Sequence, residues 1–586
     1  MRIVVRDEIS EDSELRRAWN ELALRMGPPE VFYTHEWGIA VQRAYGTSLT
    51  PLIFLGYDGD SLVGVAALAR KNRDHVVFLT ADTADYCEFL SESEIRGEFV
   101  AAVLAGLKDL RADRVVLTNL PADSLTVRAL SRTASKVPYH LHTRPAYACA
   151  QVVMGGVEER VLLKQSVLTK KRLRRNLREL EKRGPVTLQH DTDWHQIEPL
   201  LRPFASAHIA RFLEIGKISS LIQKERRVFL AELARELSKR RWVALSRLLV
   251  GDLTAAWNYG FRFEGSWFWY QPTVNDLFGD FSPGHCLLTK IVELACDSKG
   301  INVVDLGLGA EGYKNRFATA NKQTLYCELN RSLLAHSRAV VRYRAASLAT
   351  WSPRVEKPLR TAIAVAKDLR SRVSSTDESL PSRLAKRAWR SLFHLENVLF
   401  FEWPLENRNF SASNLRLRPL NSEMVGTAAL QYGSDPASLR FLMRSAQRLR
   451  SGEGFGYVLV TADDMPVHFC WARDFKAFQM AELNCTLSAP CQNAVMIFDC
   501  FTPQTARGHG FFGDAIALLA QELSQQGKSA WIFGAVSNQP SVRGIKKTAF
   551  QYRFNLRRKR ILFLSRSEDS VPSPIPLDNE NTVSAS

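Results

Sequence analysis

The chain has 586 residues, enough for roughly three or four domains that each bury their own core. Its hydrophobic content of 46% and charged content of 24% are those of a soluble globular protein, and no run of about 18 apolar residues is present that would span a bilayer. The net charge of +17 indicates an anionic partner, such as a phosphate-rich cofactor, an acidic polysaccharide, a membrane surface or a nucleic acid. Charge alone does not choose among these partners.

The cysteines and the opening residues indicate the cellular setting. Nine cysteines are scattered without Cys-x-x-Cys or mixed Cys/His spacing, so we expect neither a disulfide framework nor a metal site. The opening residues lack the apolar core of a signal peptide. We therefore expect a cytoplasmic protein with free thiols, which would lie at the inner face of the membrane if it serves the cell envelope at all.

Residues 1–150 alternate predicted helices and strands. A helix is predicted over residues 14–26, and two strands, 51–57 and 61–69, are joined by a hairpin turn. An acidic, aromatic loop follows, with Asp82, Asp85, Tyr86 and Glu88. Such a loop could bind a polar acceptor, but a solvated loop is the simpler interpretation.

A basic helix is predicted over residues 170–183, within the basic stretch 164–183. Leu173, Leu177 and Leu180 recur at helical spacing, so one narrow stripe of the helix packs against the protein. The remaining surface is densely cationic and carries Lys170, Lys171, Arg172, Arg174, Arg175 and Arg178. This density favours contact with phosphates or an acidic polymer about as strongly as a solvated face. No recognised nucleic-acid-binding module accompanies the helix, so a nucleic-acid role ranks last.

Residues 186–262 continue as a strand, helices through residue 237 and two paired strands, 242–250 and 253–262. His208 lies on one of the helices. It is a candidate general base, although a lone helical histidine is more often a surface or packing residue.

The most informative stretch is residues 267–314. An aromatic strand leads to Ser282 and Pro283, which are placed as the N-cap and first position of an apolar helix. A strand over 301–306 and a glycine-rich turn follow. A helix start after a small-residue turn presents backbone N–H groups and a positive dipole end to an anion, although most such starts bind nothing.

Three further segments complete the chain. Residues 331–395 are predicted as a basic helical linker, which could rest on an anionic membrane surface or simply pack between domains. Residues 396–566 are predicted as a separate α/β domain with a meander of strands, including one over 478–484, and a helix over 514–526. Residues 567–586 have the composition of a disordered tail.

Short motifs in a fixed order give a family resemblance. The run FSPGHCLLTKIVELA, followed by Asp305-Leu306-Gly307 and by Glu311-Gly312-Tyr313-Lys314, resembles the CelD-like family of cellulose-biosynthesis acetyltransferases. That family is a branch of the GNAT superfamily and is related to the FemAB aminoacyltransferases. Residues 32–37, Asp85-Tyr86 and His208 agree with it, and the likeness covers roughly the first 330 residues.

The resemblance implies α/β GNAT folds in tandem, with 1–150 as a first half and 151–330 as the half that holds the acyl-CoA site. It implies acyl transfer, with acetyl-CoA or another acyl-CoA as co-substrate, to a sugar, amine or lipid-linked acceptor of exopolysaccharide or envelope synthesis. The implied site residues are of two kinds. Ser282, Gly284 and His285 would bind the donor phosphates, and Asp305, Tyr313, Lys314 and His208 would serve catalysis at the acceptor cleft.

The domain at 396–566 carries a second GNAT-like signature. Arg507, Gly508, His509 and Gly510 resemble the superfamily's pyrophosphate loop, although Phe512 stands at its final small position. Asn538 matches the residue that binds the pantetheine arm or caps the next helix. Ile545 stands where many GNAT enzymes carry a tyrosine acid, which puts activity of this domain in question.

Two alternatives to acyl-CoA chemistry remain open at this stage. The chain could be a non-catalytic GNAT-fold scaffold that binds a polysaccharide synthase or an acidic glycan. It could also be a FemAB-like transferase that uses aminoacyl-tRNA, which the basic helix would suit. Release of free thiol from acyl-CoA distinguishes the first alternative, and a comparison of acetyl-CoA with charged tRNA distinguishes the second.

Overall fold

The computed structural model describes residues 1–168, 170–309, 311–350, 393–404, 414–480, 485–487, 491–561 and 564–570. These residues form two compact units. Unit 1 holds residues 1–211 and 220–350, and unit 2 holds residues 212–219 together with the described part of 393–570. The prediction of a mixed α/β protein is confirmed.

The first 153 residues contain most of the elements that the hydrophobic pattern predicts. The predicted helix over 14–26 and the two strands of the predicted hairpin are confirmed, with small shifts at their ends. The elements in chain order are β1 (Arg2–Arg6), α1 (Ser13–Leu24), α2 (His35–Tyr45), β2 (Thr50–Asp58), β3 (Ser61–Asn72), β4 (His75–Phe78), β5 (Leu90–Ser91), α3 (Arg96–Asp109), β6 (Arg114–Pro121), α4 (Leu125–Thr133) and β7 (His140–Val153).

Residues 157–350 repeat the same kind of order. The elements are α5 (Val157–Leu168), α6 (Lys171–Glu181), β8 (Val186–Asp191), α7 (Trp194–Glu214), α8 (Lys224–Ser238), β9 (Val243–Val250), β10 (Leu253–Phe263), β11 (Ser266–Val274), α9 (Pro283–Asp297), β12 (Val303–Leu308), β13 (Ala320–Asn330) and α10 (Leu333–Thr350). The predicted basic helix over 170–183 is confirmed as α6, which runs from Lys171 to Glu181. Leu173 and Leu180 are buried as the stripe predicts.

Unit 1 is built on one 13-stranded sheet, ordered β1-β2-β3-β4-β6-β13-β7-β12-β11-β10-β9-β8, with β5 beside β3. The arrangement of strands is similar when the sheet is followed inward from either edge. Each half has antiparallel strands that lead to a parallel pair, β4 with β6 and β11 with β12, and a helix connects each pair. β13 lies between β6 and β7, so each half contributes its last strand to the centre of a shared sheet.

Two buried groups of side chains stabilise unit 1. One lies between α6, α9 and the sheet of the second half, and includes the fully buried Leu287, Ile291 and Trp267. The other is aromatic and centres on Phe32, whose ring lies 4.7 Å from Trp37 and 5.3 Å from Phe268 between centroids. Burial of such side chains contributes about 1.5–3 kcal/mol each. These contacts hold the loop before α2 against β11.

Unit 2 has an 8-stranded sheet, ordered β15-β16-β17-β20-β21-β14-β22-β23. In the predicted strand over 478–484, residues 478–480 pair with residues 485–487 in a separate two-stranded sheet, and residues 481–484 lie outside the described residues. The elements are β14 (Phe393–Glu402), β15 (Leu415–Pro419), α11 (Ser422–Tyr432), α12 (Pro436–Ser451), β16 (Phe455–Thr461), β17 (Pro466–Asp474), β18 (Phe478–Met480), β19 (Cys485–Leu487), β20 (Ala494–Phe501), α13 (Phe511–Gln525), β21 (Ser529–Ala535), α14 (Gln539–Lys546), β22 (Gln551–Ile561) and β23 (Leu564–Ser570).

Candidate active site

The candidate site of unit 1 lies where β11 and β12 separate. The two strands pair in parallel only from Ser266–Phe268 to Val303–Asp305. Beyond that point β11 continues to Val274, whereas β12 pairs with β7 and its register shifts before Leu308. The side chains that follow the last paired residues therefore face an opening in the sheet.

Gly307 fixes how closely the neighbouring loop approaches this opening. Its φ is +72°, a conformation that side chains rarely adopt. A Cβ atom at this position would lie 2.7 Å from Oδ2 of Asp85 and 3.5 Å from the carbonyl oxygen of Trp269. Asp85 therefore reaches the β12 backbone because residue 307 has no side chain.

Asp305 is buried and saturated with hydrogen bonds. Its carboxylate accepts from the Tyr86 hydroxyl at 2.8 Å, from Nε2 of Gln151 at 2.7 Å and from the backbone N–H of Gly307 at 2.8 Å. Hydrogen bonds to a charged acceptor stabilise a fold by about 1.5–3 kcal/mol each. Asp305, which the resemblance places in the acceptor cleft, holds three different segments of the chain together.

Asp85 differs from its neighbour Asp305. It is only partly buried, and burial followed by repulsion from Asp305 raises the pKa of its carboxyl to about 7. The cations Lys314 and Arg226 oppose that shift. A carboxylate that titrates near neutral pH in a partly open position suits a general base.

The loop around Asp85 corrects a prediction from the sequence. A solvated loop was the simpler interpretation, yet Tyr86 is fully buried and the Glu88 side chain is 5% exposed. Only Asp82 fits that interpretation, since its side chain is 76% exposed. The aromatic contact between Phe32 and Tyr86, 5.9 Å between centroids, accounts for the burial.

A second carboxylate, Glu30, lies near the same cluster. Its Oε1 is 2.8 Å from Nζ of Lys322, and that ammonium lies 4.1 Å from the centre of the Tyr86 ring. Burial raises the pKa of Glu30 to about 8, although Lys322 opposes the shift. Glu30 and Lys322 therefore form the part of the cluster that lies against β13.

Tyr313 and Lys314 have distinct roles in the structure. The Lys314 ammonium is buried and donates to the Leu308 carbonyl at 2.7 Å, while Glu311 lies 2.8 Å away. The Tyr313 hydroxyl accepts from Nε1 of Trp269 at 3.2 Å. Lys314 thus fixes the turn after β12, and Tyr313 connects that turn to β11.

His208 is buried and faces β11. One of its contacts joins Nε2 to Nε2 of Gln271 at 3.2 Å. Burial, and then the nearby Arg226 guanidinium, lowers the pKa of His208 to about 3. A base with so low a pKa accepts protons weakly at neutral pH, so Asp85 suits that role better than His208.

A small basic pocket of about 70 Å³ lies beside the start of α9. Its lining consists of three cationic side chains, one histidine, one amide and two apolar residues: Lys170, Arg172, Leu173, Asn176, His285, Arg316 and Phe317. Asn176 is 5% exposed, and its amide makes no hydrogen bond among the described residues. Because buried amides are normally paired, this free amide beside three cations fits an anionic group such as a phosphate ester.

The start of α9 differs in detail from the prediction. Ser282 is at the N-cap position, but its φ of 49° is left-handed and its side chain makes no capping hydrogen bond. The predicted N-cap position of Ser282 and the position of Pro283 at the start of the helix are confirmed, but the serine side chain does not cap, so the first turn keeps its N–H groups for other acceptors. A Cβ on Gly284 would lie 3.1 Å from Cγ1 of Val274, so residue 284 is closely packed.

The pocket and the carboxylate cluster are joined by direct contacts. The His285 ring lies 5.5 Å from the Tyr313 ring, and Tyr313 is bonded to Trp269. The carbonyl of Trp269 lies beside Gly307, which in turn adjoins Asp85. The structure thus brings His285, Tyr313 and Asp85 to the same opening of the sheet.

Unit 2 contains the second predicted loop. Gly508 and Gly510 have φ values of +89° and +82°, and α13 begins directly after them, three residues earlier than predicted. Nε of Arg507 donates to the Thr502 carbonyl at 3.1 Å. His509 stacks on the Phe511 ring, 5.5 Å between centroids.

The remaining residues predicted in unit 2 have structural roles. Asn538 caps α14, because its side chain accepts from the Ser541 N–H at 3.4 Å. Phe512 packs on Gly544, where a Cβ would lie 2.5 Å from the ring. Ile545 is fully buried in the core. Capping was one of the two roles predicted for Asn538.

Several residues of the candidate site were not predicted from the sequence. Glu30 and Lys322 are 292 positions apart, and neither stands in a recognisable motif. Asn176 is one polar residue within a basic helix. Asp85 did belong to a loop that the sequence pattern identified. Its position after the strand β4 could have indicated a site residue.

One segment of the chain is similar to a known protein family. Residues 168–315 match the family model described as an Acetyltransferase (GNAT) domain. No curated protein matches the sequence. No helix of the described residues is long and apolar enough to cross a membrane.

Solved structures with similarity to the chain include FemX, at 11% identity and a TM-score of 0.41, covering 58% of this chain and 100% of that one. L-PGS from Bacillus licheniformis has 12% identity and a TM-score of 0.38, covering 57% and 98%. A tandem GNAT protein from the clavulanic acid biosynthesis pathway has 11% identity and a TM-score of 0.34, covering 56% and 98%.

The family model spans α6, the β11–β12 pair, the start of α9 and the turn that holds Lys314. These are the elements that form most of the basic pocket and the opening beside Asp85. The match to the Acetyltransferase (GNAT) domain thus covers the part of the chain, residues 168–315, that carries most of the candidate site.

Proposed function

We propose that the chain is an acyltransferase that moves an acyl group from acyl-CoA to an amine or hydroxyl of an acceptor. The observation that carries the proposal is the continuous path from the basic pocket at His285, through Tyr313 and Trp269, to Asp85. One end of the path suits a phosphate and the other end suits a base. Acetyl is the expected acyl group.

At the donor end, the phosphates of the acyl-CoA would lie between α6 and the first turn of α9. Lys170, Arg172 and Arg316 supply positive charge, and Asn176 supplies an amide that has no partner among the described residues. The pKa of His285 is lowered by burial and by Arg316 and Arg172, so this ring is neutral at pH 7 and offers a hydrogen bond without charge. Placement of both reactants can contribute about 7 kcal/mol of barrier reduction.

At the acceptor end, Asp85 would take the proton that the amine or hydroxyl loses as it attacks the thioester carbonyl carbon. The carbon–sulfur bond breaks, and the sulfur leaves as the thiolate of coenzyme A. A positioned base typically adds about 100-fold to the rate, which is about 3 kcal/mol. Asp305 and Lys314 hold the surrounding turns and so position Asp85.

The resemblance to CelD-like proteins supports a sugar or a lipid-linked intermediate of exopolysaccharide or envelope synthesis as the acceptor. We propose unit 2 as a binding domain, with Arg507, Gly508, His509 and Gly510 as a second phosphate site. Ile545, fully buried where a tyrosine acid would be expected, supports binding over catalysis in that unit.

Thiol release from acetyl-CoA in the presence of cell-envelope extract tests the proposal. We expect Asp85→Asn to lower the rate about 100-fold while acetyl-CoA binding is retained. Asp82→Asn is the matched control, since it lies in the same loop but its side chain is 76% exposed. No thiol release by the unaltered protein would favour a scaffold, and equal rates for the two variants would remove Asp85 from the mechanism.

A second candidate function is transfer from aminoacyl-tRNA, as in FemAB proteins. The exposed cations Lys171, Arg175 and Arg178 extend along α6 beyond the pocket, and a long polyanion would contact them. This function predicts activity with charged tRNA but not with acetyl-CoA. It also predicts an affinity that falls steeply with salt concentration.

A further inference from the structure

A second and larger cavity, of about 470 Å³, lies in the first half of unit 1. It is lined by residues at the start of α3 and by residues that follow the end of β6, including Arg96 and Ser124. The basic pocket lies at the start of α9 and after the end of β12. By the repeat in the sheet, the two cavities therefore occupy equivalent places in the two halves.

The charge of the larger cavity is opposite to that of the basic pocket. Its lining includes four carboxylates, Glu88, Glu92, Glu94 and Asp123, and two guanidinium groups. The chain as a whole carries a net charge of +17, so this surface is a local reversal of sign. An anion such as a CoA phosphate would be repelled here, whereas a cation would be attracted.

The cavity is also lined by a polar group that has no hydrogen-bond partner among the described residues. Tyr33 is 7% exposed and lines the cavity, and its hydroxyl makes no hydrogen bond among the described residues. Most buried hydroxyl groups are paired, so the Tyr33 hydroxyl is free to bind a ligand. This observation is independent of the acidic lining.

Arg96 and Glu88, which line the same cavity as Tyr33, form an ion pair. The nearest atoms of Arg96 and Glu88 are 3.6 Å apart, and their side chains are 4% and 5% exposed. Nε of Arg96 donates to the Ser91 hydroxyl at 2.5 Å, which fixes the guanidinium in the wall. Glu88 accepts from the Phe89 N–H at 2.9 Å, and the side chains of Ser124 and Thr126 also donate to it. A carboxylate has about four acceptor positions, so one further donor can bind here.

We propose that this cavity is a binding site for a ligand that carries a protonated amine. The ammonium group would bind between Glu88 and the hydroxyl of Tyr33, and the exposed carboxylates Glu92, Glu94 and Asp123 would attract it from solvent. The site is separate from the opening at Asp85 and from the basic pocket, and its occupation does not depend on acyl transfer.

The cavity also has a structural connection to the carboxylate cluster. Tyr33 ends a 3₁₀ turn over Val31–Tyr33, and Glu30, the partner of Lys322, is the residue that precedes this turn. Trp19 fixes the turn, because its Nε1 donates to the Tyr33 carbonyl at 2.9 Å. A ligand in the cavity would therefore contact the same turn that places Glu30.

Calorimetric titration of the full-length protein tests the proposal, with pentane diamine as the probe and pentanediol as its neutral analogue. We expect saturable binding of the diamine at low salt and none of the diol. Tyr33→Phe should weaken diamine binding about tenfold. Because the hydroxyl makes no hydrogen bond within the described residues, this variant should fold normally.

Two further variants decide whether the carboxylates act at this place. The double variant Glu94→Gln with Asp123→Asn should weaken diamine binding at least about tenfold, whereas Asp60→Asn in the exposed β2–β3 turn should leave it unchanged. No saturable diamine binding, equal binding of the diol, or full binding by Tyr33→Phe and by the double variant would each overturn the proposal. None of these results depends on the activity of the Asp85 site.

Discussion

Asp85 and Asp305 are close enough to influence each other, but their surroundings differ. Asp305 is bonded to Tyr86, Gln151 and the Gly307 backbone, whereas Asp85 is partly open and has a raised pKa. The proposed base is therefore the less firmly held of the two.

The pH dependence of the rate follows from the raised pKa of Asp85, about 7. A base acts only when it is deprotonated, so the rate of thiol release should rise about tenfold per pH unit below this value and become level above it. In Asp85→Asn this inflection should disappear. If the variant keeps the same inflection, another group, such as the acceptor amine, is responsible for it.

The pH dependence of stability follows from Glu30. Burial raises its pKa from 4.5 to about 8, so the folded state holds the proton more tightly than the unfolded state. This contribution to stability is fully present below about pH 4.5 and is lost as the pH rises through about 8. His208, with a pKa lowered to about 3, has the opposite effect, but only below about pH 6.5.

The range above pH 7 is therefore the place to measure the effect of Glu30. We expect Tm to fall between about pH 7 and pH 8 and this contribution to level off at higher pH, and we expect Glu30→Gln to make the fall smaller. Asp60→Asn is a suitable control, because this side chain is exposed in the β2–β3 turn and makes no ion pair among the described residues. A fall in Tm that is identical in Glu30→Gln and in the unaltered protein would contradict the assignment.

At the scale of the elements, the turn after β12 determines the position of Asp85. Gly307→Ala introduces a Cβ 2.7 Å from the Asp85 carboxylate at a φ of +72°. We expect a loss of about 1–3 kcal/mol in the free energy of unfolding and a lower rate of thiol release, with little change in acetyl-CoA affinity. Urea unfolding and calorimetry measure these quantities.

Gly59 provides a matched control for this variant. Its φ is +58°, but nothing lies within 4 Å of the Cβ that alanine would add. Gly59→Ala should therefore cost a similar amount of backbone strain and leave the rate unchanged. Equal effects of the two variants on the rate would mean that contact with Asp85 does not matter.

Sequence patterns predicted the elements better than their connections. The apolar spacing of α9, the hairpin of β2 and β3, and the leucine stripe of α6 were all recognisable, because each depends on neighbours within a few residues. The burial of the Asp85 loop was missed, because it depends on the contact with Phe32, more than fifty positions away.

The same reason explains which parts of the candidate site were found. Ser282, Gly284 and His285 lie in one motif, and the helix start that they form is present, although Ser282 does not cap it. Glu30 with Lys322 and the exchange of β13 into the centre of the sheet need chain segments that are hundreds of residues apart. Patterns within a few residues of the sequence do not predict such pairings.

At the scale of the whole molecule, the two halves of unit 1 share a sheet but differ in charge. The second half has the basic pocket, and the first half has an acidic cavity at the equivalent place. A repeat of this kind allows one half to bind a phosphate-bearing donor while the other half binds a different class of ligand. The proposed division of roles rests on this difference in lining residues.

Titration of acetyl-CoA into the intact protein by calorimetry tests the central claim most directly. The proposal predicts saturable binding that Arg172→Ala weakens about tenfold and that Arg175→Ala, on the same helix but outside the pocket, leaves unchanged. Arg507→Ala should remove at most a second, separate binding step. Failure of the intact protein to bind acetyl-CoA, or equal affinity in Arg172→Ala and Arg175→Ala, would contradict a donor site in the basic pocket.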